Sequence, residues 1–339
     1  MHSRLNKRTL LGKRLLMINI ARIGDTLMGT PLLSALKSSA PDAYVGCFAH
    51  PKRASVLEGL SSIDELRATT PKRLRFQGYV HGTRWDTAFV LGHEPVLVRY
   101  ALRVADHVVA YRQKDEDLNR RLWRIVDIPR QRLHYVKERL LLAEAAGIAT
   151  GELGLDYSVL PEEASWAEQW LQQQGIMENQ PLIVLQLASF PTKPYRDWPL
   201  EHFMRLAGEL RKRYPKAVFL LNGGKESRLR AASFTAAFPN CAINVTGKLP
   251  LRRSAALLQK ADLYIGVDTG PTHLAGALGV PMVAMYHCRH PGRLFAPPEA
   301  RWRRILEHPL SERGCSSETS MSEIGVEEVL GAALDLLAK

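Results

Sequence analysis

The chain has 339 residues, of which 46% are hydrophobic and 24% are charged. These proportions are typical of a folded globular protein, and the length suits two domains of about 150 residues each. No apolar run reaches the roughly 18 to 20 residues that a spanning helix needs, and Leu15–Ala21 is too short for a secretory signal. We therefore expect a protein that is neither membrane-spanning nor secreted.

Positive charge is concentrated in the N-terminal part of the chain. The formal net charge is +12; residues 1–140 contain 25 Lys and Arg against 13 Asp and Glu, whereas the remaining residues contain 21 of each. This surplus predicts a polyanionic partner, which could be nucleic acid, an anionic membrane surface or a phosphorylated substrate. The alternative is a basic surface that only increases solubility, and charge alone does not separate these interpretations.

The chain contains four widely separated cysteines: Cys47, Cys241, Cys288 and Cys315. They form no CxxC pair and have no zinc-ligand spacing. A disulfide scaffold is not expected at this length, so we predict four isolated thiols in a reducing, cytoplasmic compartment.

In the first half, short apolar runs alternate with longer amphipathic stretches, which is typical of βα units and a parallel sheet. The predicted strands are Leu15–Ile20, Ala43–Ala49 and Thr87–Leu91, and the predicted helices are Leu27–Ser38 and Tyr135–Ala146. Residues 66–85 and 111–132 are rich in Arg and Lys and show little periodicity. They are predicted to be loops or exposed helices.

In the second half, a polar run at 172–181 marks a domain boundary, after which strands and helices alternate regularly. The predicted strands are Leu182–Leu187, Ala217–Asn222, Ala242–Val245, Leu263–Val267 and Met282–Tyr286, the last of which closes the series. The predicted helices are Leu200–Tyr214, Glu226–Phe238, Leu251–Lys260, one from about Pro271, and Val326–Ala338. The fold class is therefore α/β, with Rossmann-like domains at 1–172 and 180–325 and a C-terminal helix at 326–339 that could pack on either.

Residues 261–281, ADLYIGVDTGPTHLAGALGVP, carry the strongest chemical signal. A buried strand ends at Asp268, a tight turn follows at Thr269 and Gly270, and Pro271 suits the first turn of a helix. Free backbone N–H groups and the positive end of a helix dipole at this point form an anion site, with His273 close by. The alternative is an ordinary helix with Asp268 as its N-cap.

Residues 18–37, INIARIGDTLMGTPLLSALK, form the second candidate segment. Asp25 lies where the first strand passes into a helix. It could cap that helix without any chemical role, or it could act as a general base toward a hydroxyl nucleophile. Gly24 is not part of a GxGxxG pattern, so no dinucleotide fingerprint is present.

Taken together, the two segments closely resemble glycosyltransferase family 9, the lipopolysaccharide heptosyltransferases. Three intermediate motifs occur in the same order: WPLEHF at 198–203, GGKE at 223–226 and GKLPL at 247–251. The resemblance covers nearly the whole chain. It implies the GT-B fold, with two Rossmann-like domains facing a central cleft. It also implies transfer of heptose from ADP-heptose to the core oligosaccharide, with inversion of the anomeric centre and without a metal or other cofactor.

The resemblance also assigns roles to residues. Asp25 matches the proposed catalytic base. The residues that match the donor site are Lys193, Arg196, Glu226, Leu249, Asp268, Thr269, Gly270 and His273. Among these, the family's turn at 269–270 binds the pyrophosphate, positions 268 and 273 lie near the diphosphate and sugar, position 226 contacts the ribose, and position 249 lies beside the adenine.

This chain departs from the family pattern at two places. Where the family usually has a Lys two residues before the Trp of the WP motif, this chain has Arg196, with Lys193 as a second cation or as a solvated loop charge. After the last predicted strand, YHCRH at 286–290 replaces a Phe-Gly-x-Thr turn. His287, Cys288 and His290 could suggest a metal site, but a further ligand is missing, and we predict none.

The implied acceptor is the phosphate- and carboxylate-bearing inner core of lipopolysaccharide. The N-terminal basic residues would then hold the enzyme as a peripheral protein at the cytoplasmic face of the inner membrane. Two alternatives remain: a family member that uses another nucleotide sugar or acceptor, and a non-catalytic relic that binds lipopolysaccharide. Nucleic acid is not the expected partner, because residues 112–132 contain a single aromatic side chain, Trp123.

Overall fold

The structure, a computed structural model, describes residues 12–76, 84–151, 153–298, 300–310 and 314–338. The chain divides into two compact units, Met1–Ser158 and Val159–Lys339. The sequence analysis placed the boundary near residue 172, whereas this division assigns the helix at 161–173 to the second unit. Among the described residues, no helix is long and apolar enough to cross a lipid bilayer.

The first unit is a parallel sheet of six strands with helices between them. Its strands are β1 (Arg14–Asn19), β2 (Tyr44–Ala49), β3 (Glu65–Ala68), β4 (Trp85–Val90), β5 (Ala105–Tyr111) and β6 (Arg124–Val126). Its helices are α1 (Ile23–Leu27), α2 (Thr30–Ser39), α3 (Pro71–Phe76), α4 (Pro95–Val104), α5 (Glu116–Arg121) and α6 (Tyr135–Ala145). The strand order is β3-β2-β1-β4-β5-β6. The apolar side chains of β1 and β4 pack with those of α4 in the core.

The second unit repeats this design. Its strands are β7 (Leu182–Gln186), β8 (Val218–Asn222), β9 (Ala242–Asn244), β10 (Leu263–Val267), β11 (Met282–Tyr286) and β12 (Arg303–Glu307), in the order β12-β11-β10-β7-β8-β9. Its helices are α7 (Pro161–Gln173), α8 (Leu200–Arg213), α9 (Arg228–Ala237), α10 (Leu251–Gln259), α11 (Gly270–Ala277), α12 (Gly292–Phe295) and α13 (Val326–Leu337). The C-terminal helix α13 packs on α8 and on β10 and β11, so it belongs to this unit.

Both sheets have the Rossmann order, in which the direction of strand addition reverses once. The place of this reversal, called the switch point below, falls between β1 and β4 in the first sheet and between β7 and β10 in the second. Open parallel sheets bind ligands at such a point, outside the carboxyl ends of the strands. A site is therefore expected at the segments that follow β1 and β4 in the first unit and β7 and β10 in the second.

The predicted helix Leu27–Ser38 is wrong at its start. Leu27 is the last residue of α1, and the separate helix α2 begins at Thr30. Gly29 lies between them and packs so closely on β1 that a Cβ atom there would be 2.5 Å from Nδ2 of Asn19. That Nδ2 donates to the backbone oxygens of Asp25 and Thr26, at 3.3 and 3.5 Å. The break therefore fixes the α1 turn, which carries Asp25, against the end of the first strand.

The sequence also missed four strands: β3, β5, β6 and β12. Strands β3, β6 and β12 are at sheet edges, and the sequences of β3 and β12, ELRA and RRILE, carry charges and no continuous apolar run. Met282–Tyr286 therefore does not close the second sheet, since β12 pairs with its outer side. Within the basic stretches at 66–85 and 111–132, α3 and α5 are short helices, and residues 77–83 lie outside the described part of the chain.

Trp198 links the start of α8 to the C-terminal segment. Its indole is fully buried, and Nε1 donates to the backbone oxygen of buried Ile324 at 2.9 Å. We expect Trp198→Phe to lower the free energy of unfolding by about 1–3 kcal/mol, because a buried carbonyl loses its donor. Trp166→Phe on α7, where the indole is only half-buried, is the matched control. In urea unfolding it should change the free energy of unfolding by less than about 0.5 kcal/mol. Equal losses in the two variants would contradict this role of the indole N–H.

Candidate functional site

Asp25 lies in the first turn of α1, at the carboxyl end of β1. The N-cap position of this helix is Arg22, so Asp25 does not cap it. Its side chain is about one-third exposed, at 32%. The cap interpretation is therefore wrong for Asp25, and its carboxylate remains accessible to a ligand.

A buried arginine from α6 holds this turn. Arg139 is 3% exposed; its Nη2 donates to the backbone oxygen of Asp25 at 3.4 Å and lies 3.9 Å from Oδ1 of the same residue. The guanidinium carbon lies 3.9 Å from the centre of the Tyr135 ring. Arg139 thus holds the backbone at Asp25 from the protein interior and places a positive charge near its carboxylate, whose outer side remains open.

Arg196 and Asp268 form a buried ion pair at the switch point of the second sheet. Arg196 is in the 3₁₀ turn Pro194–Arg196 that comes after β7, and Asp268 directly follows β10. Nη1 of Arg196 lies 2.6 Å from Oδ2 of Asp268, and both side chains are at least nine-tenths buried. Asp268 therefore binds a cation and does not occupy the N-cap of α11, which is Thr269.

His273 lies on the other side of the same carboxylate. Its Nε2 is 3.7 Å from Oδ1 of Asp268. Burial acts to raise the pKa of Asp268, but the His273 contact and the Arg196 charge outweigh it, so that the pKa is below its usual value. Nε of Arg196 and Nδ1 of His273 are buried and have no hydrogen-bond partner among the described residues. These polar atoms are available to a ligand.

Helix α11 begins at this point without a side-chain cap. Thr269 is in extended conformation and its hydroxyl makes no capping hydrogen bond. Thr272 is instead held by the strand, since its Oγ1 donates to the oxygen of Val267 at 2.5 Å and contacts the Tyr264 hydroxyl at 2.9 Å. The turn at Thr269 and Gly270 therefore presents the positive end of a helix beside Arg196.

The segment after β11 lies against Tyr195, which precedes Arg196. The Tyr195 ring is 4.9 Å from the His287 ring and 6.4 Å from the His290 ring. Burial, followed by the charge of Arg196, lowers the pKa of His290 to about 4, and the charge of Lys193 contributes in the same direction. Lys193 itself is partly buried, with its backbone held by Phe190 and Ser189, so it belongs to this cationic region.

Glu226 and Leu249 are on neighbouring loops at the carboxyl ends of β8 and β9. The loops are joined by a hydrogen bond from Gly247 N to Gly223 O, at 2.8 Å, and Gly223 has a φ of +134° that few other residues adopt. Glu226 is exposed, and its Oε1 accepts from Gly224 N at 2.9 Å. Leu249 is partly buried. The fold thus places the two residues on adjacent loops, and their roles toward a nucleotide remain predictions.

The expectation of four isolated cysteines is wrong. Cys47 and Cys241 are free and buried, but Cys288 and Cys315 are joined by a disulfide across 27 residues of sequence. Cys288 follows β11 and Cys315 follows β12; because these strands are neighbours in the sheet, the two loops meet. No local spacing in the sequence indicated this pairing. The sequence analysis also missed Arg139, for which the only indication is that it is a cation on a helix that must bury one face.

Two Rossmann-order sheets, each with conspicuous polar groups at its switch point, define a two-unit α/β protein of the GT-B class, and solved structures support this. A glycosyl transferase family 9 structure from Veillonella parvula has a TM-score of 0.82 and 22% identity, covering 97% of this chain and 98% of the other. ADP-heptose lipopolysaccharide heptosyltransferase II of Escherichia coli has a TM-score of 0.79 and 21% identity, covering 96% and 98%. The predicted α/β fold of two Rossmann-like units is confirmed.

Residues 100–323 match glycosyltransferase family 9 (heptosyltransferase), and the chain belongs to this family. The lipopolysaccharide core heptosyltransferase OpsX of Haemophilus influenzae is 23% identical over 211 residues. That match covers 58% of this chain and 59% of OpsX, less than two thirds of the length of the relative.

Proposed function

We propose that this protein transfers heptose from ADP-heptose to the lipopolysaccharide core, with inversion and without a catalytic metal. The observation that carries the proposal is the buried cationic site at the β7–β10 switch point. Arg196 Nε is unpartnered there among the described residues, beside the uncapped start of α11. Family membership selects the sugar-nucleotide chemistry, and the heptosyltransferase relatives favour heptose as the transferred group.

The donor diphosphate is proposed to bind in the second unit. The backbone of Thr269 and Gly270 and the guanidinium of Arg196 would bind its oxygens, with Lys193 as a further cation and Asp268 and His273 beside the sugar. As the bond between the anomeric carbon and the diphosphate oxygen breaks, negative charge develops on that oxygen. A preorganised guanidinium and a helix N-terminus stabilise such charge, which is the role a metal ion has in other transferases.

Asp25 is proposed as the general base. The acceptor hydroxyl gives its proton to the Asp25 carboxylate while its oxygen attacks the anomeric carbon opposite the departing ADP. A single displacement of this kind inverts the anomeric centre and needs one base and no enzyme nucleophile. The partial exposure of Asp25 and its anchoring by Arg139 are consistent with this role.

The acceptor and the membrane are proposed to meet the basic first unit. On α3, Lys72, Arg73 and Arg75 are exposed beside Phe76, whose side chain is 70% exposed. Cations next to an exposed aromatic ring are suited to a surface of anionic headgroups and acyl chains. These side chains support peripheral binding to an anionic membrane surface, which we propose to be the cytoplasmic face of the inner membrane.

The donor is tested by calorimetric titration of ADP and ADP-heptose against UDP and GDP, without added divalent metal. We expect binding of the adenine nucleotides only. Glu226→Ala should weaken that binding about tenfold or more, because a carboxylate hydrogen bond to the ribose is worth about 1.5–3 kcal/mol. Glu209→Ala, an exposed glutamate on α8, is the matched control and should leave the affinity unchanged.

Other outcomes of the titration discriminate between the alternatives. Tight binding of UDP or GDP with no response to ADP would exclude ADP-heptose as the donor. An absence of binding to all four ligands would exclude ADP-, UDP- and GDP-linked sugars as donors and favour a non-catalytic role.

A further inference from the structure

Three side chains with soft metal-ligand atoms meet at the carboxyl ends of β11 and β12. They are His287, Cys288 and Cys315, and their ligand atoms all lie within 4.8 Å of one another. His287 and Cys288 are buried and Cys315 is partly exposed, so the group is accessible from one side. The sequence offered His290 as the third member, but the fold brings Cys315 to this place instead.

The imidazole of His287 is oriented as a metal ligand would be. Its Nε2 lies 3.0 Å from the oxygen of Thr319, and a carbonyl there requires an N–H donor. Nδ1 is therefore the nitrogen with the lone pair, which accepts a hydrogen bond from Arg289 N at 3.2 Å. Ligating histidines commonly donate the other ring N–H to a carbonyl in this way, which fixes the tautomer. A metal would take over the lone pair that Arg289 N now contacts.

The distances from this nitrogen to the two sulfurs match tetrahedral coordination. Nδ1 lies 3.8 Å from Sγ of Cys288 and 3.9 Å from Sγ of Cys315. Zinc–sulfur and zinc–nitrogen bonds of about 2.3 and 2.0 Å at a tetrahedral angle separate S and N by about 3.6 Å. A zinc ion therefore fits between the three atoms once the two sulfurs are separated, which needs side-chain rotation at the cysteines. A water molecule would be the fourth ligand, on the side where Cys315 is partly exposed.

We propose that His287, Cys288 and Cys315 form a zinc site in the reduced protein. Two thiolates and an imidazole suit Zn²⁺ better than Mg²⁺ or Ca²⁺, which prefer oxygen ligands. The disulfide is the metal-free oxidised form of the same site. A dithiol reductant converts it to two thiols and is itself oxidised to a cyclic disulfide; Zn²⁺ then binds the two sulfurs and displaces two protons.

The role of this metal is structural. The site joins the loop after β11 to the loop after β12, and its histidine packs against Tyr195, the neighbour of Arg196. A zinc ion there would stabilise the packing behind the buried Arg196–Asp268 pair without touching the reacting atoms. It is thus compatible with glycosyl transfer that uses no catalytic metal, and it does not depend on which sugar is transferred.

The test is zinc content after reduction. The full-length protein is reduced with dithiothreitol under nitrogen, incubated with excess ZnCl₂, freed of unbound metal by gel filtration and measured by mass spectrometry. We expect about one zinc per chain in the wild type, and almost none in Cys288→Ser and Cys315→Ser. Cys241→Ser, which changes a free buried thiol, is the matched control and should keep the zinc. His287→Gln should weaken zinc affinity by more than about tenfold, the loss that even an outer-shell partner can cause.

Cobalt provides a readout that does not depend on the variants folding. Co²⁺ added to the reduced wild type should give thiolate-to-metal absorption and the strong visible bands of a tetrahedral site, and zinc should abolish both. The proposal is overturned if the reduced wild type takes up no zinc and shows no thiolate band. The proposal is also overturned if Cys315→Ser or the oxidised protein retains about one zinc per chain.

Discussion

We expect Asp25→Asn to lower kcat for heptose transfer by about 10²–10⁴-fold, because the amide cannot accept the proton of the acceptor hydroxyl. The substitution preserves the size of the side chain. The α1 turn is held by the side chains of Asn19 and Arg139, which donate to the backbone oxygen of residue 25. The folded structure and the affinity for ADP, whose proposed site lies in the second unit, should therefore remain. Rate measurements at saturating donor, combined with ADP titration, separate loss of chemistry from loss of binding.

Asp42→Asn is the matched control for this variant. Asp42 is an exposed aspartate in the same unit, between α2 and β2, so its neutralisation changes the net charge equally. Its kcat should stay within about twofold of the wild type, as surface substitutions away from a site rarely matter. If Asp25→Asn retains wild-type kcat, another group removes the proton and the assignment of Asp25 is wrong.

We expect Arg196→Ala to lower the free energy of unfolding by about 3–5 kcal/mol, because it leaves the carboxylate of Asp268 buried without its cation. The pair is at least nine-tenths buried, with 2.6 Å between Nη1 and Oδ2, so solvent cannot compensate for the missing charge. Arg196→Lys should recover part of the loss, since it restores a charge but not the planar guanidinium. Urea unfolding of the three proteins at neutral pH gives the comparison.

The destabilisation should depend on pH in a defined direction. The folded pKa of Asp268 lies below its reference value of 3.8, so the stability it contributes is present above that value and is lost as pH falls through the folded pKa. Burial raises the pKa of Asp268 and the His273 contact lowers it in both proteins, but without Arg196 a further lowering charge is lost, so the folded pKa of Asp268 is higher in the variant than in the wild type. The stability difference between Arg196→Ala and the wild type should therefore be largest near neutral pH and shrink toward pH 4 and below, because a protonated Asp268 no longer needs a cation.

An exposed ion pair in the same unit provides the control. Arg205 contacts Glu327 at 3.1 Å, and both side chains are more than half exposed. Arg205→Ala should cost less than about 1 kcal/mol, since solvent and salt screen such pairs. Equal losses in Arg205→Ala and Arg196→Ala would show that burial does not increase the contribution of the Arg196–Asp268 pair to the free energy of unfolding.

Local sequence was sufficient to predict the α/β class and eight of the twelve described strands. The largely apolar runs at Leu15–Ile20 and Leu263–Val267 predicted buried strands of a parallel sheet, and strands occur there at Arg14–Asn19 and Leu263–Val267 in the structure. The residues at which these runs end, including Asp268, could also be predicted, because parallel strands align their carboxyl ends. Edge strands such as β12 were missed, since an edge buries one side only and imposes a weaker pattern.

The partners of the site residues were decided by tertiary structure alone. Arg196 and Asp268 are 72 residues apart in the sequence, and Arg139 is 114 residues from Asp25. The pairing of Cys288 with Cys315 likewise arises because β11 and β12 are neighbours in one sheet. Periodicity reports which side of an element is buried, but strand order decides which loops meet. Apolar runs therefore revealed the elements, whereas the charged and sulfur-containing contacts emerged only when the sheets assembled.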